Sequence, residues 1–208
     1  MFSKRLNTKS YAKINLGLKV LDSLPDGYHS IITIMQEIDF FDLISISQKE
    51  HNKIQLICNG PISVPDDKTN LCYKAAKLIY DNYDCPHGLD ISLTKNVPTG
   101  AGLGGGSSNA ATVLKQLNEI FELKISKNHL RELALEIGCD VPFFIDGGIQ
   151  LCEGKGEKLT PILRGLLTKS LQVFAIEQAS SSTHSPKGII EPKDSALGMN
   201  SLGETLPR

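Results

Sequence analysis

The sequence predicts an α+β fold with a largely antiparallel sheet. Segments of two-residue alternation occur in runs, and helical spacings are grouped between them instead of alternating regularly with single strands. A chain of 208 residues with 40% hydrophobic content holds one full domain and part of a second.

In residues 10–20, Ala12, Ile14, Leu16, Leu18 and Val20 alternate with Tyr11, Lys13, Asn15 and Lys19, which predicts a half-buried strand with Lys13 and Asn15 on one face beside Tyr11. Pro25, Asp26 and Gly27 supply a turn, and a second strand is expected over residues 31–38, just after Tyr28 and His29. Two more strands are expected at 43–47 and 53–58, closed by Asn59-Gly60-Pro61. Residues 66–69 offer capping side chains ahead of a helix carrying Leu71, Ala75, Leu78 and Ile79 on one face. Strand alternation returns at 88–95.

A glycine-rich run follows, then a helix over about 108–121 with Ala110, Leu114, Leu117 and Phe121 along its apolar stripe. The next helix is expected to start at a Ser126 cap, turn Leu130, Leu133, Ala134 and Ile137 inward and stop at Gly138. Short strands are expected at 148–152 and 158–162, joined by the turn at 153–156. After about residue 165 the composition changes. One strand is expected at 171–176, and the Ser-, Pro- and Gly-rich stretch 179–208 reads as poorly ordered.

A formal net charge of −1 leaves no basic footprint for nucleic acid. No run reaches the length of a membrane span, and the first twenty residues lack the apolar core of a signal peptide. The five cysteines (Cys58, Cys72, Cys85, Cys139, Cys152) contain no C-x-x-C pair, which predicts free thiols and a cytoplasmic protein.

The most informative segment is Pro98-Thr99-Gly100-Ala101-Gly102-Leu103-Gly104-Gly105-Gly106-Ser107-Ser108. Glycines allow positive φ and close approach of backbone to a ligand, and the first turn of the following helix presents unpaired N–H groups to an anion. The hydroxyls of Ser107 and Ser108 suit an N-cap, a phosphate or Mg²⁺. Gly100-x-Gly102-x-x-Gly105 formally matches a dinucleotide-binding fingerprint, but the preceding strand alternates with Asp90, Ser92 and Thr94 and no acid ends a second strand. A Walker loop would need a lysine before Ser107. A flexible linker or a tight packing loop remains the plain alternative.

Other polar groups carry two readings each. Lys13 and Asn15 suit either a solvent-exposed strand face or a site, and Asp140 before Val141-Pro142 suits either a helix cap or a free carboxylate. Tyr28 could stack on a flat ligand and His29 hydrogen-bond to its edge, or both could be exposed turn residues. Asn70 reads as cap or ligand contact, and Cys139 as a packed thiol.

Taken in order, Ala12-Lys13-Ile14-Asn15-Leu16, Pro25-Asp26-Gly27-Tyr28-His29, the glycine run through Asn109-Ala110-Ala111, and Gly138-x-Asp140-Val141-Pro142-Phe143-Phe144 resemble the 4-diphosphocytidyl-2-C-methyl-D-erythritol kinase family of the galactokinase, homoserine, mevalonate and phosphomevalonate (GHMP) kinase superfamily. The likeness runs from about residue 10 to 162. It implies a GHMP N-terminal ATP-binding domain at 1–165, with helices on one side of the sheet, and a remnant of a C-terminal domain at 166–208. It also implies ATP-dependent phosphorylation of the 2-hydroxyl of the cytidylylated methylerythritol, on the non-mevalonate route to isoprenoid precursors.

By position, the resemblance makes Lys13 and Asp140 the catalytic pair, with Asp140 taking or orienting the hydroxyl proton and Lys13 keeping it ionised. It assigns residues 98–108 to the ATP phosphates with Mg²⁺, Asn15 to the methylerythritol end, and Tyr28 and His29 to the cytosine. The family's second glycine-rich motif and its second cytosine-stacking aromatic have no counterpart after Gly165, so the chain reads as C-terminally truncated. Two alternatives stay open: a fragment that binds nucleotide without turnover, and another small-molecule kinase of the superfamily.

Overall fold

The computed structural model describes residues 5–23, 25, 27, 29–50 and 53–162. The chain divides into units Met1–Thr168 and Lys169–Arg208, and the described residues lie in the first. Tyr28, the strand expected at 171–176 and the stretch 179–208 lie outside the described residues.

In chain order the strands are β1 (Arg5–Ser23), β2 (His29–Lys49), β3 (Ile54–Asn59), β4 (Gly88–Thr94), β5 (Ile149–Gly154) and β6 (Lys158–Pro161). The helices are α1 (Leu71–Asn82), α2 (Gly105–Ile120), α3 (Lys127–Ile137) and α4 (Val141–Asp146). Among the described residues the strands form one sheet. β1 and β2 make a long antiparallel hairpin, and the other edge of β2 is shared by β4 along residues 43–49 and by β5 along 31–36. β6 pairs antiparallel with β5, while β3 and β4 form the parallel pair.

The α+β expectation therefore holds, with two differences in detail. The strands expected at 31–38 and 43–47 are one strand, because Asp39 and Phe40 form a bulge opposite Tyr11 and Ala12 and pairing with β1 resumes beyond it. The six-residue helix α4 was signalled only by the capping reading of Asp140, since it is too short to show a helical period.

One sheet face, carrying Ile44, Ile46, Leu56, Leu89, Ile91 and Leu93, packs against Ala75, Ala76 and Ile79 of α1 and Ala110, Val113, Leu114 and Leu117 of α2. Each fully buried Leu or Ile contributes about 1.5–3 kcal/mol relative to exposure. α1 begins at Asn70, whose Oδ1 accepts from the Cys72 N–H at 2.9 Å, which makes Asn70 the cap. The α3 boundaries are those read from the sequence: Ser126 accepts from the His129 N–H at 3.3 Å, and Gly138 closes the C-terminus.

α3 and α4 are clasped by Asp146. Arg131 donates to both of its carboxylate oxygens, from Nε at 2.5 Å and from Nη2 at 2.8 Å, and Lys127 Nζ lies 2.5 Å from Oδ1. Burial opposes ionisation of Asp146, but the hydrogen bonds and charges of Arg131 and Lys127 outweigh it and hold the carboxyl below its ordinary range. A folded-state pKa below the unfolded value of about 3.9 gives stability that is present above that value and lost as pH falls through the folded one. Asp146→Asn is therefore expected to lower the urea midpoint at neutral pH, with a deficit that shrinks as the buffer is taken into strong acid. A deficit constant over that range would remove the electrostatic part of the clasp.

Candidate active site

β4 ends at Thr94, and the chain crosses to α2 through the glycine-rich run. Gly100 and Gly102 take φ of +72°, and Gly104, the N-cap of α2, takes φ of +66° in the left-handed region. α2 accordingly starts at Gly105, earlier than the expected residue 108, because the turn into the helix is made by a glycine and not by a serine cap. No side chain caps this end and no acid sits in its first turn, so backbone N–H groups are its polar face.

Ser107 and Ser108 are first-turn residues and not caps. Ser108 is buried with Oγ 2.8 Å from Ser10 Oγ, while Ser107 is half-buried. The hydroxyl expected from Ser108 is thus engaged within the protein, and its N–H donates to the Gly104 carbonyl at 2.9 Å, which leaves the Ser107 side chain at the loop.

The loop is tied to β1 by a hydrogen bond from the Lys13 N–H to the Leu103 carbonyl at 2.9 Å. Ser10 and Lys13 are three residues apart and would leave opposite faces of a regular strand. Both side chains nevertheless reach the loop and α2, at the point where the pairing of β1 with β2 is interrupted between Tyr11 and Ala12. The exposed-face reading of Lys13 is overturned, since its side chain is 4% exposed. Its Nζ donates to Asn15 Oδ1 at 3.2 Å and lies 3.7 Å from Asp140 Oδ2.

Tyr11 does not join this group and packs edge-on against Phe41, with ring centroids 5.7 Å apart. A further bulge at Leu16 shifts the phase again. Leu18 and Val20, expected on the buried row of Ala12, are 49% and 57% exposed.

Asp140 occupies the N-cap position of α4 without making a side-chain cap bond. The capping reading of this residue therefore fails, and its carboxylate, 36% exposed, is turned toward Lys13. The β5–β6 turn walls this side: a Cβ on Gly156 would lie 3.8 Å from Asp140 Oδ1 and 3.7 Å from Ile31 Cδ1. Burial pushes the nearby Cys152 thiol up to about 11, so it stays protonated. All five cysteines are free.

Beside the first turn of α2 lies a cavity of about 180 Å³ lined by Val64, Pro65, Asn70, Leu71, Thr99 and Gly106, among others. Four of its lining residues, Val64, Pro65, Thr69 and Asn70, come from the irregular segment before α1, and of these the sequence offered Asn70 as a ligand contact. His29 sits at the start of β2, exposed, with Nε2 3.1 Å from Ser23 Oγ at the far end of the hairpin. The structure thus brings Lys13, Asn15, Asp140 and the glycine loop together, and His29 makes its described contact elsewhere. Among the described residues no three His, Cys, Asp or Glu side chains cluster to hold a metal ion, and no helix is long and apolar enough to cross a membrane.

Residues 70–148 match the GHMP kinases N terminal domain. The chain is 52% identical over 155 residues to a 4-diphosphocytidyl-2-C-methyl-D-erythritol kinase of Clostridium botulinum strain Hall, covering 74% of this chain and 55% of the relative. It is 48% identical over 157 residues to the enzyme of that name from strain Eklund 17B, covering 76% and 55%. The chain thus spans about half the length of the curated relatives it matches. A crystal structure of 4-(cytidine 5'-diphospho)-2C-methyl-D-erythritol kinase superposes with a TM-score of 0.66 at 35% identity, over 76% of this chain and 55% of that one. A Methanococcus jannaschii mevalonate kinase shares the fold, with a TM-score of 0.55 at 15% identity over 77% of this chain and 56% of that one.

Proposed function

The chain belongs to the GHMP kinase superfamily, grouping there with the 4-diphosphocytidyl-2-C-methyl-D-erythritol kinases, and from that premise we propose that it transfers the γ-phosphoryl group of ATP to the 2-hydroxyl of 4-diphosphocytidyl-2-C-methyl-D-erythritol. The reaction is a step toward isoprenoid precursors on the non-mevalonate route, and the free thiols fit a cytoplasmic setting. The observation that carries the reading is the Lys13–Asp140 pair, 3.7 Å apart, with Lys13 hydrogen-bonded through its backbone to the glycine loop.

In this reading Asp140, partly open to solvent and free of capping duty, accepts the proton of the substrate hydroxyl. Lys13 sets a positive charge beside that carboxylate and near the phosphoryl group in flight. The N–H groups of residues 99–107, at the N-terminus of α2 and in the loop before it, take the phosphates, with the left-handed glycines letting the chain wrap them. The cavity between Val64 and Gly106 receives the nucleotide base, and Asn15, bonded to Lys13, positions the methylerythritol end. Tyr28 and His29 hold the cytosine.

Magnesium, when bound with ATP, would neutralise phosphate charge. With no three metal-ligating side chains clustered among the described residues, the phosphate oxygens would supply most of its ligands, and Ser107 offers a hydroxyl in the first turn of α2. The segment assigned to ATP binding is 1–165.

The test is ADP release on mixing the protein with Mg²⁺, ATP and the cytidylylated substrate. Tyr28→Ala is expected to raise the substrate KM with little change for ATP. An unchanged KM would point to another small-molecule kinase of the superfamily. A second reading is a unit that binds nucleotide without turnover. Calorimetric ATP binding with no ADP release would select it.

A further inference from the structure

Two charged side chains outside the proposed chemistry lie buried beneath the glycine-rich loop, and one of them, Lys95, also lines the cavity beside α2. Lys95, just after β4, is 2% exposed, and Asp42, in β2, is 0% exposed. Lys95 Nζ lies 2.5 Å from Asp42 Oδ2. Asp42 Oδ1 accepts from the backbone N–H groups of Asn96 at 2.6 Å and Val97 at 2.8 Å, and Oδ2 accepts from Asn109 Nδ2 at 2.9 Å. Asn109 Nδ2 also lies 2.9 Å from Ser10 Oγ, which in turn is 2.8 Å from Ser108 Oγ. One carboxylate therefore joins the segment leading into the loop, the first turns of α2 that follow it, and β1 three residues before Lys13.

Packing alone does not call for this arrangement. Removing two charges from water is costly, and apolar residues of similar volume often replace a buried ion pair with no loss of stability. What the carboxylate offers beyond volume is direction: it fixes two loop amides and a helix side chain at one point. The ammonium adds a depth stop, since a Cβ on Gly105 would lie 2.8 Å from Lys95 Nζ.

We infer that Asp42 and Lys95 are positioning residues that clamp both ends of the glycine-rich loop, so that the amides between them stay converged on an oligophosphate. The inference rests on the nucleotide-binding reading above.

Asp42→Ala would strand a buried ammonium and is a poor probe. The double variant Asp42→Asn/Lys95→Met keeps the volume and removes both charges, and it is expected to fold with a melting temperature near the parent's. Amide hydrogen exchange over residues 96–109, measured without nucleotide, is expected to quicken about tenfold or more while α3 and the centre of β2 are unaffected. ATP affinity by calorimetry is expected to weaken about tenfold through the lost preorganisation.

Unchanged exchange over 96–109 in the folded double variant overturns the clamp. So does loosening spread evenly over the domain with ATP affinity intact. Loosening confined to the loop in a protein whose parent binds no ATP keeps the clamp and removes the nucleotide reading instead. Should the double variant not fold, Asn109→Ala cuts the link from the carboxylate to α2 and Ser10 while leaving the Asn96 and Val97 arm, and it carries the same two readouts at smaller amplitude.

Discussion

Asp140→Asn is expected to lower turnover by about 10²- to 10⁴-fold, the range typical of a lost general base. The amide is nearly isosteric and can still orient a hydroxyl, but it cannot accept the proton. The variant is a clean one because the Asp140 side chain caps nothing: α4 starts without a bond from it, so its loss costs the helix little. ATP affinity is expected to stay near the parent value, since the phosphates are assigned to the loop and not to α4. Steady-state ADP release with the cytidylylated substrate, beside calorimetry with ATP alone, separates the two effects. Undiminished turnover would remove Asp140 from the chemistry and leave its approach to Lys13 as a structural ion pair.

Gly104→Ala is expected to be the most disruptive single-methyl change in the loop. At φ of +66° a side chain costs roughly 1–2 kcal/mol in backbone strain alone. The new Cβ would also lie 2.8 Å from Phe144 Cζ and 3.2 Å from Lys13 Cγ, and overpacking of that kind adds about 1–3 kcal/mol. Relief requires the loop to back away from Lys13, so the ATP affinity should fall together with stability. Gly102→Ala is the internal control: its φ of +72° carries the same strain, but nothing lies within 4 Å of its Cβ. Urea unfolding should show Gly104→Ala losing roughly 1–3 kcal/mol more than Gly102→Ala. Equal losses would show that Phe144 and Lys13 give way freely and that the loop is not seated against them.

Most of the regular elements were legible in the sequence. Ser126 and Gly138 mark the ends of α3 because caps are made by residues adjacent in the chain, and β4 and β5 show the period of a strand with one dry face. The glycine run announced a left-handed turn into α2, because glycine density ahead of a helix changes what the chain itself can do. The family resemblance carried by the order of the motifs joined Lys13, Asn15, the loop and Asp140 into one expected site, although they span almost 130 residues.

The tertiary structure decided which of two local readings each polar residue follows. Lys13 is buried against the loop, beside an interruption in the pairing of β1 with β2, and both the contact and the interruption depend on segments distant in sequence. Asp140 sits at a cap position yet faces Lys13, a choice made by the partner charge and not by its own helix. Asp42 and Lys95 show no pattern that sets them apart from other charges on alternating strands, and only the packing of α2 over β2 and β4 makes them a buried pair. Periodicity and capping act over neighbouring residues and can be read along the chain, whereas burial of a charge is set by groups distant in sequence that meet only when the sheet closes against its helices.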